Sequence, residues 1–107
     1  MKKLLKKAWV KALRSDKYKQ SRGYLELCAN GKIIGNCCLG VLCRVAKVKG
    51  KKCSSYTIFS YNNTGSLGGH LRSKFEISLP EQEKLIDMND NKKKNFNEIS
   101  NWIEKNL

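Results

Sequence analysis

The dipeptide Asn30-Gly31 constrains the fold more than any other feature, because it is a strong signal for a two-residue hairpin turn. Both central residues of a type I′ turn need a positive φ angle, which Asn and Gly tolerate. Strand-like sequence lies on either side, so we predict an antiparallel hairpin with strands at residues 24–28 and 32–34. Gly35-Asn36 is expected to end the second strand, with Asn36 capping the next helix.

Helical patterns flank this hairpin. In residues 2–14, Leu5, Trp9 and Leu13 recur at four-residue spacing, with Ala8 and Ala12 beside them, which predicts an amphipathic helix. A central helix that carries three cysteines is predicted over residues 37–48. We expect its last residues to lead into the lysines that follow, since cations suit a helix C-terminus.

The second half of the chain adds a strand and three helices. Residues 55–61 have strand composition, residues 62–69 form a Gly/Asn/Ser loop, and residues 67–75 favour a short helix. Two capping boxes open the last two helices, Ser78 with Glu81 and Asn95 with Glu98, and residues 89–91 are expected to form the turn between them. The prediction is an α+β fold: one small domain over residues 1–107 that ends in a helical hairpin.

The positive charge is distributed unevenly along the chain. Residues 1–52 hold 15 Lys and Arg against 2 Asp and Glu, whereas residues 53–107 hold 7 of each, so the net charge of +13 lies in the first half. Such asymmetry indicates a surface that faces a polyanion. A lysine-rich surface selected for solubility is the alternative, but a bias toward Lys would also have affected the charge-balanced half.

The basic half also interleaves aromatic rings with cations. Between residues 17 and 24 it mixes Lys, Arg, Gln and Ser with Tyr18 and Tyr24, and single-stranded nucleic acid binds such mixtures through its phosphates and unstacked bases. Packing of Tyr24 in the core is an equal alternative. The predicted nucleic-acid-binding residues are Lys3, Lys6, Lys7, Lys11, Arg14, Lys17, Tyr18, Lys19, Arg22, Arg44, Lys47, Lys49, Lys51 and Lys52.

The five cysteines point to reduced thiols in a cytoplasm, because their number is odd and Cys37 and Cys38 are adjacent. Their spacing fits no zinc site, and we expect neither metal nor cofactor. We favour simple packing of these side chains, with Gly40 allowing another element to approach the helix closely. A cysteine hydrolase that uses Cys37 or Cys38 with His70 is an alternative, since a helix N-terminus can activate a thiol.

Several sequence blocks resemble a family of small phage and prophage proteins. These blocks are Gly23-Tyr24-Leu25, Cys37-Cys38-Leu39-Gly40-Val41-Leu42-Cys43, Met88-Asn89-Asp90, Phe96-Asn97-Glu98-Ile99 and Trp102-Ile103-Glu104. The resemblance implies a viral accessory protein in the cytoplasm of a host cell and brings no catalytic residues. Small phage accessory proteins are often inhibitors of host defence, including CRISPR systems.

We therefore expect stoichiometric binding of RNA, because nothing in the sequence resembles a recognition module for duplex DNA. The target could be a tRNA, a guide RNA or a host defence ribonucleoprotein complex. A sponge for an anionic nucleotide signal is the alternative, with a pocket formed by Arg22, Tyr24, Arg44 or the glycine loop. No stretch approaches the roughly 20 apolar residues of a membrane span. The sequence leaves the oligomeric state open.

Overall fold

Two small antiparallel sheets lie among five α-helices in the part of the chain that the structure, a computed structural model, describes: residues 1–59 and 64–107. The α+β class is therefore confirmed. The elements are α1 Lys3–Arg14, β1 Glu26–Ala29, β2 Lys32–Asn36, α2 Cys38–Val45, β3 Gly50–Lys52, β4 Thr57–Phe59, α3 Gly69–Phe75, α4 Leu79–Ile86, a π-helical turn Asp87–Asn91, and α5 Phe96–Asn106.

The first hairpin forms where it was predicted, with φ angles of 53° at Asn30 and 76° at Gly31. The predicted end of its second strand was wrong, because β2 continues through Asn36. Asn36 also caps no helix; Cys37 occupies the N-cap position of α2 and makes no side-chain cap. The buried Asn36 amide instead donates to the Glu26 carboxylate at 2.9 Å, because a buried polar group needs a partner inside the fold.

A β-bulge interrupts this hairpin. Leu27 pairs with Gly35 and Cys28 pairs with Ile33, which leaves Ile34 as an extra residue on β2. Consecutive side chains of a regular strand point to opposite faces. At the bulge, however, both Ile33 and Ile34 are exposed, at 42% and 49% of their surface.

The second hairpin, β3–β4, contains a strand that was not predicted. α2 ends at Val45, not at the predicted residue 48, and Lys47 adopts a positive φ of 58°. The following Gly50–Lys52 then pairs with Thr57–Phe59. Gly and Lys have little strand preference, so the partner strand determines this pairing. Residues 60–61 of the predicted strand and 62–63 of the predicted loop lie outside the described residues.

One core joins the helices to both hairpins. On α1, Trp9, Val10 and Leu13 are buried, whereas the predicted core residue Ala8 is exposed. The predicted close approach at Gly40 is confirmed, since a Cβ there would lie 1.6 Å from the Leu25 carbonyl oxygen. Leu25, the residue just before β1, thus lies directly against the backbone of α2.

Both predicted capping boxes are present, at Ser78 and at Asn95. The chain does not stop at residues 89–91 as predicted but makes one π-helical turn there. Asn89 explains this turn: its buried side chain accepts bonds from Gln20 Nε2 and Cys38 N and donates to the Ser21 carbonyl. α5 follows and packs chiefly on α1. Its Trp102 is partly buried and packs against the core.

Candidate nucleic-acid interface

The exposed lysines of α1 share one face of the helix. Lys3, Lys7, Lys11 and Arg14 follow each other at intervals of four, four and three residues, which aligns them along α1. They border a groove of about 850 Å³, which we call the basic groove. Its lining residues are Lys3, Lys6, Lys7, Val10, Lys11, Arg14, Ser15 and Glu104.

Two cations of the basic groove also attach α1 to α5. Lys6 Nζ donates to the Glu104 carbonyl at 3.0 Å. The Arg14 guanidinium donates to Ser100 Oγ at 3.0 Å, to Asn101 Oδ1 at 2.8 Å and to both carboxylate oxygens of Glu104 at 3.2 Å. The hydrogen bonds and the positive charge of Arg14 hold the pKa of Glu104 below its usual value. Arg14 therefore serves the fold, and its charge is partly neutralised.

A second cavity, of about 560 Å³, lies between the loop after α1 and strand β2; we call it the loop pocket. Its lining residues are Lys17, Tyr18, Lys19, Glu26, Ile33, Ile34, Gly35, Asn36 and Arg44. Backbone bonds fix the loop to the strand, with Asn36 N donating to the Lys19 carbonyl and Ser21 N donating to the Asn36 carbonyl, both at 2.8 Å. The cationic wall of the pocket is thus positioned by main-chain bonds.

The Arg44 cation in this pocket is paired with a buried acid. Its guanidinium binds both carboxylate oxygens of the fully buried Glu26, with Nε 2.6 Å from Oε2, and lies over the Phe59 ring at 5.1 Å. Thr57 Oγ1 donates to the same carboxylate at 2.6 Å. Burial alone would raise the pKa of Glu26, but the bonds from Arg44, Thr57 and Asn36 outweigh it and lower that pKa. Arg44 is therefore held rigidly in place.

A third depression, of about 420 Å³, links the other two. It shares Arg14 and Ser15 with the basic groove, and it shares Tyr18 and Lys19 with the loop pocket. The three cavities therefore neighbour one another, and we call their combined lining the basic surface. Its acidic lining residues are Asp16, Glu26 and Glu104, and the last two are paired with arginines.

The remaining predicted cations lie elsewhere, so the structure separates the predicted set into two groups. Lys51 and Lys52 lie on β3, and Lys52 Nζ donates to the Gly31 carbonyl at 3.4 Å. The predicted site residues that line none of the three cavities are Arg22, Lys47, Lys49, Lys51 and Lys52.

The two tyrosines of the basic segment have different environments. Tyr18 lines the loop pocket, with Lys17 Nζ 5.6 Å from its ring centroid. Tyr24 is 38% exposed and stacks on Tyr56, with ring centroids 5.3 Å apart and planes at 2°. Its expected alternative place in the core was therefore wrong. Neither Tyr24 nor Arg22 lines the loop pocket, which contains Arg44.

The buried cysteines do not have the electrostatics of a nucleophile. Burial raises the pKa of Cys37 to about 11 and that of Cys43 to about 12, and it also raises the pKa of Cys38. The N-terminal end of α2 favours the thiolate, but desolvation is the larger effect. This disfavours a hydrolase that uses Cys37 or Cys38. All five cysteines are free thiols.

Sequence reasoning missed Ile33 and Ile34 as residues of the site. The signal was available: two adjacent isoleucines in a two-stranded hairpin cannot both face one core unless a bulge intervenes. It also missed Gln20, whose side chain donates to Asn89 Oδ1 at 2.9 Å and to the Lys94 carbonyl at 2.8 Å. These bonds anchor the loop between the two larger cavities, and no local pattern indicates them.

Within residues 1–59 and 64–107, no group of three or more His, Cys, Asp or Glu side chains is arranged to hold a metal ion. None of the helices described combines the length and the apolar character needed to cross a bilayer.

Comparison with known proteins identifies a family for this chain. Residues 1–67 match the model of a domain of unknown function, DUF8296. That segment contains every predicted nucleic-acid-binding residue, but it excludes α5, on which α1 packs. No curated protein and no solved structure matches the chain.

Proposed function

We propose, from the premise that this chain belongs to the DUF8296 family, that it binds RNA along the basic surface and acts by occupancy, without catalysis. The observation that carries the proposal is that the three cavities, which extend from Lys3 to Arg44, share lining residues and most of the cations predicted for the site. Lysines scattered evenly over the surface would attract a nucleic acid without orienting it on the protein. A row of cations along neighbouring cavities matches the backbone of a nucleic acid.

The binding energy would come from phosphate contacts. Lys3, Lys7 and Lys11 are exposed and form no ion pair with any described residue, so a phosphate can displace their counterions without breaking a bond in the fold. Lys17 and Lys19 extend the row beyond α1. Tyr18 adds a ring face between them, which favours RNA with unpaired bases over a uniform duplex.

The biological setting follows from the resemblance to small phage proteins. We propose that the protein acts in the cytoplasm of a host cell and occupies a host RNA or a defence ribonucleoprotein complex, such as a CRISPR complex. A stoichiometric inhibitor needs only affinity and abundance. This role is consistent with a site that presents cations and one ring rather than an activated nucleophile.

The test is a triple charge reversal on α1. We expect Lys3→Glu, Lys7→Glu and Lys11→Glu together to weaken binding of a fluorescent single-stranded RNA at least tenfold near 0.1 M salt, because three phosphate contacts become repulsive. Fluorescence anisotropy gives the Kd. The matched control reverses Lys74, Lys84 and Lys93, which are exposed in the charge-balanced half and change the net charge equally. Equal losses in both variants would refute a specific surface.

Salt dependence supplies an independent measure. With about five phosphate contacts, affinity should fall roughly 10²- to 10³-fold between about 50 and 200 mM salt. The triple reversal should reduce the slope of log Kd against log salt by about three contacts' worth, whereas the control variant should keep the wild-type slope. A wild-type affinity unchanged by salt would rule out the proposal.

A further inference from the structure

We propose that the loop pocket holds a single nucleotide unit, with its base on Ile33 and Ile34 and its phosphate between Lys17 and Lys19. This inference deepens the proposed function, because it adds a base-binding subsite to a surface that otherwise contacts phosphates. The same chemistry fits a nucleotide extruded from an RNA strand or a free nucleotide, and the experiment below distinguishes the two.

The floor of the pocket is apolar because of the bulge in β2. In a regular strand only one of Ile33 and Ile34 would face the cavity, whereas the extra residue at Ile34 lets both line it. Each leaves over two-fifths of its surface exposed to water. Two exposed isoleucines in the lining of a cavity supply apolar surface that a base can cover.

The rim of the pocket is cationic and rigid. Lys17 and Lys19 come from a loop that main-chain bonds fasten to Asn36, and Tyr18 contributes its ring between them. Arg44 is fixed by Glu26 through Nε and Nη2, which leaves Nη1 with no bond to a described residue. A ligand with an anionic part and a flat apolar part matches a lining that contains both cations and isoleucines.

Size and position select a nucleotide among such ligands. The volume of about 560 Å³ is within the range of small-molecule sites, roughly 300–1,000 Å³. The pocket also joins the basic groove through the depression that shares Tyr18 and Lys19. A strand lying along α1 can therefore turn one base into it, whereas an acidic peptide would gain little from Tyr18 and the isoleucines together.

The first experiment compares ligands on the wild-type protein and needs no variant. Uridine and adenosine 5′-monophosphates are titrated against ribose 5-phosphate, which carries the same phosphate without a base, while amide chemical shifts are recorded by NMR. We expect shifts centred on residues 17–19 and 33–36 and about tenfold tighter binding of the nucleotides, the effect of one good base contact. Equal binding of all three ligands would overturn the inference.

A variant then tests the role of the two isoleucines in the loop pocket. Ile34→Asp should remove the advantage of the nucleotides over ribose 5-phosphate, because it places a negatively charged carboxylate beside the base. Leu79→Asp is the matched control, since Leu79 is 48% exposed on α4 and lines none of the three cavities. A nucleotide advantage that survives Ile34→Asp, or is lost equally in Leu79→Asp, would overturn the inference.

The outcomes also separate the two proposals. Single-stranded RNA that binds the wild type in a salt-dependent way, with no nucleotide advantage, would refute the subsite and leave the proposed function standing. Nucleotides that bind in the pocket while RNA does not bind would support the subsite for free nucleotides and refute RNA binding. Shifts at residues 33–36 with an Asp/Glu-rich peptide but not with nucleotides would overturn the subsite.

Discussion

At the scale of single residues, the buried carboxylate of Glu26 holds several elements of the fold together. Three side chains donate to it, from Asn36, Arg44 and Thr57, and they come from β2, α2 and β4. One acid thus joins both hairpins to the central helix. Breaking a buried ion pair by removing one partner is costly because the other charge stays behind in the protein.

We predict that Glu26→Gln lowers the free energy of unfolding by about 2 kcal/mol or more at pH 7, the value of charge-assisted hydrogen bonds lost at a buried site. The pKa of Glu26 is lowered in the folded state, so its contribution is complete above about pH 4.5 and is lost as the pH falls through the folded pKa. Urea unfolding of both proteins at pH 7 and pH 3 measures the difference.

The difference between wild type and Glu26→Gln should therefore shrink toward acid pH. Glu104→Gln is the control, because Glu104 also has a lowered pKa but lies at the surface, where the same substitution should change stability little. A gap between wild type and Glu26→Gln that stays constant from pH 7 to pH 3 would contradict this account of the carboxylate.

At the scale of elements, α2 makes a close backbone contact with Leu25, the residue just before β1. Gly40 allows the Leu25 carbonyl to lie against the backbone of the helix, where no side chain fits. The run of buried residues around it, Cys38 to Cys43, explains why this helix is apolar on nearly all sides. Its cysteines occupy space in the core between hairpins and helices.

Gly40→Ala should destabilise the protein by about 2–3 kcal/mol or more, because the added Cβ would meet a backbone oxygen that cannot move alone. Gly69→Ala is the matched control: its Cβ would meet only the end of the Arg72 side chain, at 3.8 Å, and alanine at a helical position is neutral or slightly stabilising. Thermal unfolding followed by circular dichroism compares them. Equal melting temperatures would show that α2 can shift freely.

Local signals made some elements predictable. The Asn30-Gly31 turn and the capping boxes at Ser78 and Asn95 form as predicted because each depends on residues within a few positions. The strand β3 was missed because Gly and Lys have little strand preference of their own. The π-helical turn was missed because it depends on partners of Asn89 that are distant in sequence. For the same reason the cations of the site were found from composition, whereas the pairing of Arg14 and Arg44 was not.

At the scale of the whole molecule, the +13 net charge works against the folded state. On α1, lysines at four-residue intervals repel each other. The first turn of α1 also contains no acidic side chain, which would interact favourably with the positive end of the helix dipole. A surface whose like charges lower the stability of the free protein is suited to a partner that supplies negative charge.

Added salt should therefore stabilise the isolated protein. We expect the Tm to rise by a few degrees as NaCl increases from about 20 to 300 mM, because screening weakens the self-repulsion of the basic half. The triple reversal at Lys3, Lys7 and Lys11 should remove most of this rise, and the reversal at Lys74, Lys84 and Lys93 should not. Differential scanning fluorimetry measures it, and a Tm independent of salt in the wild type would contradict the prediction.

The bonds between α1 and α5 also bear on how the protein is made. They join residues 86 to 98 positions apart in the chain. Such distant partners meet late in folding, because a long loop must first be closed. During translation the lysine-rich segment therefore leaves the ribosome well before α5 does, and the bonds of Lys6 and Arg14 to α5 form only after α5 follows.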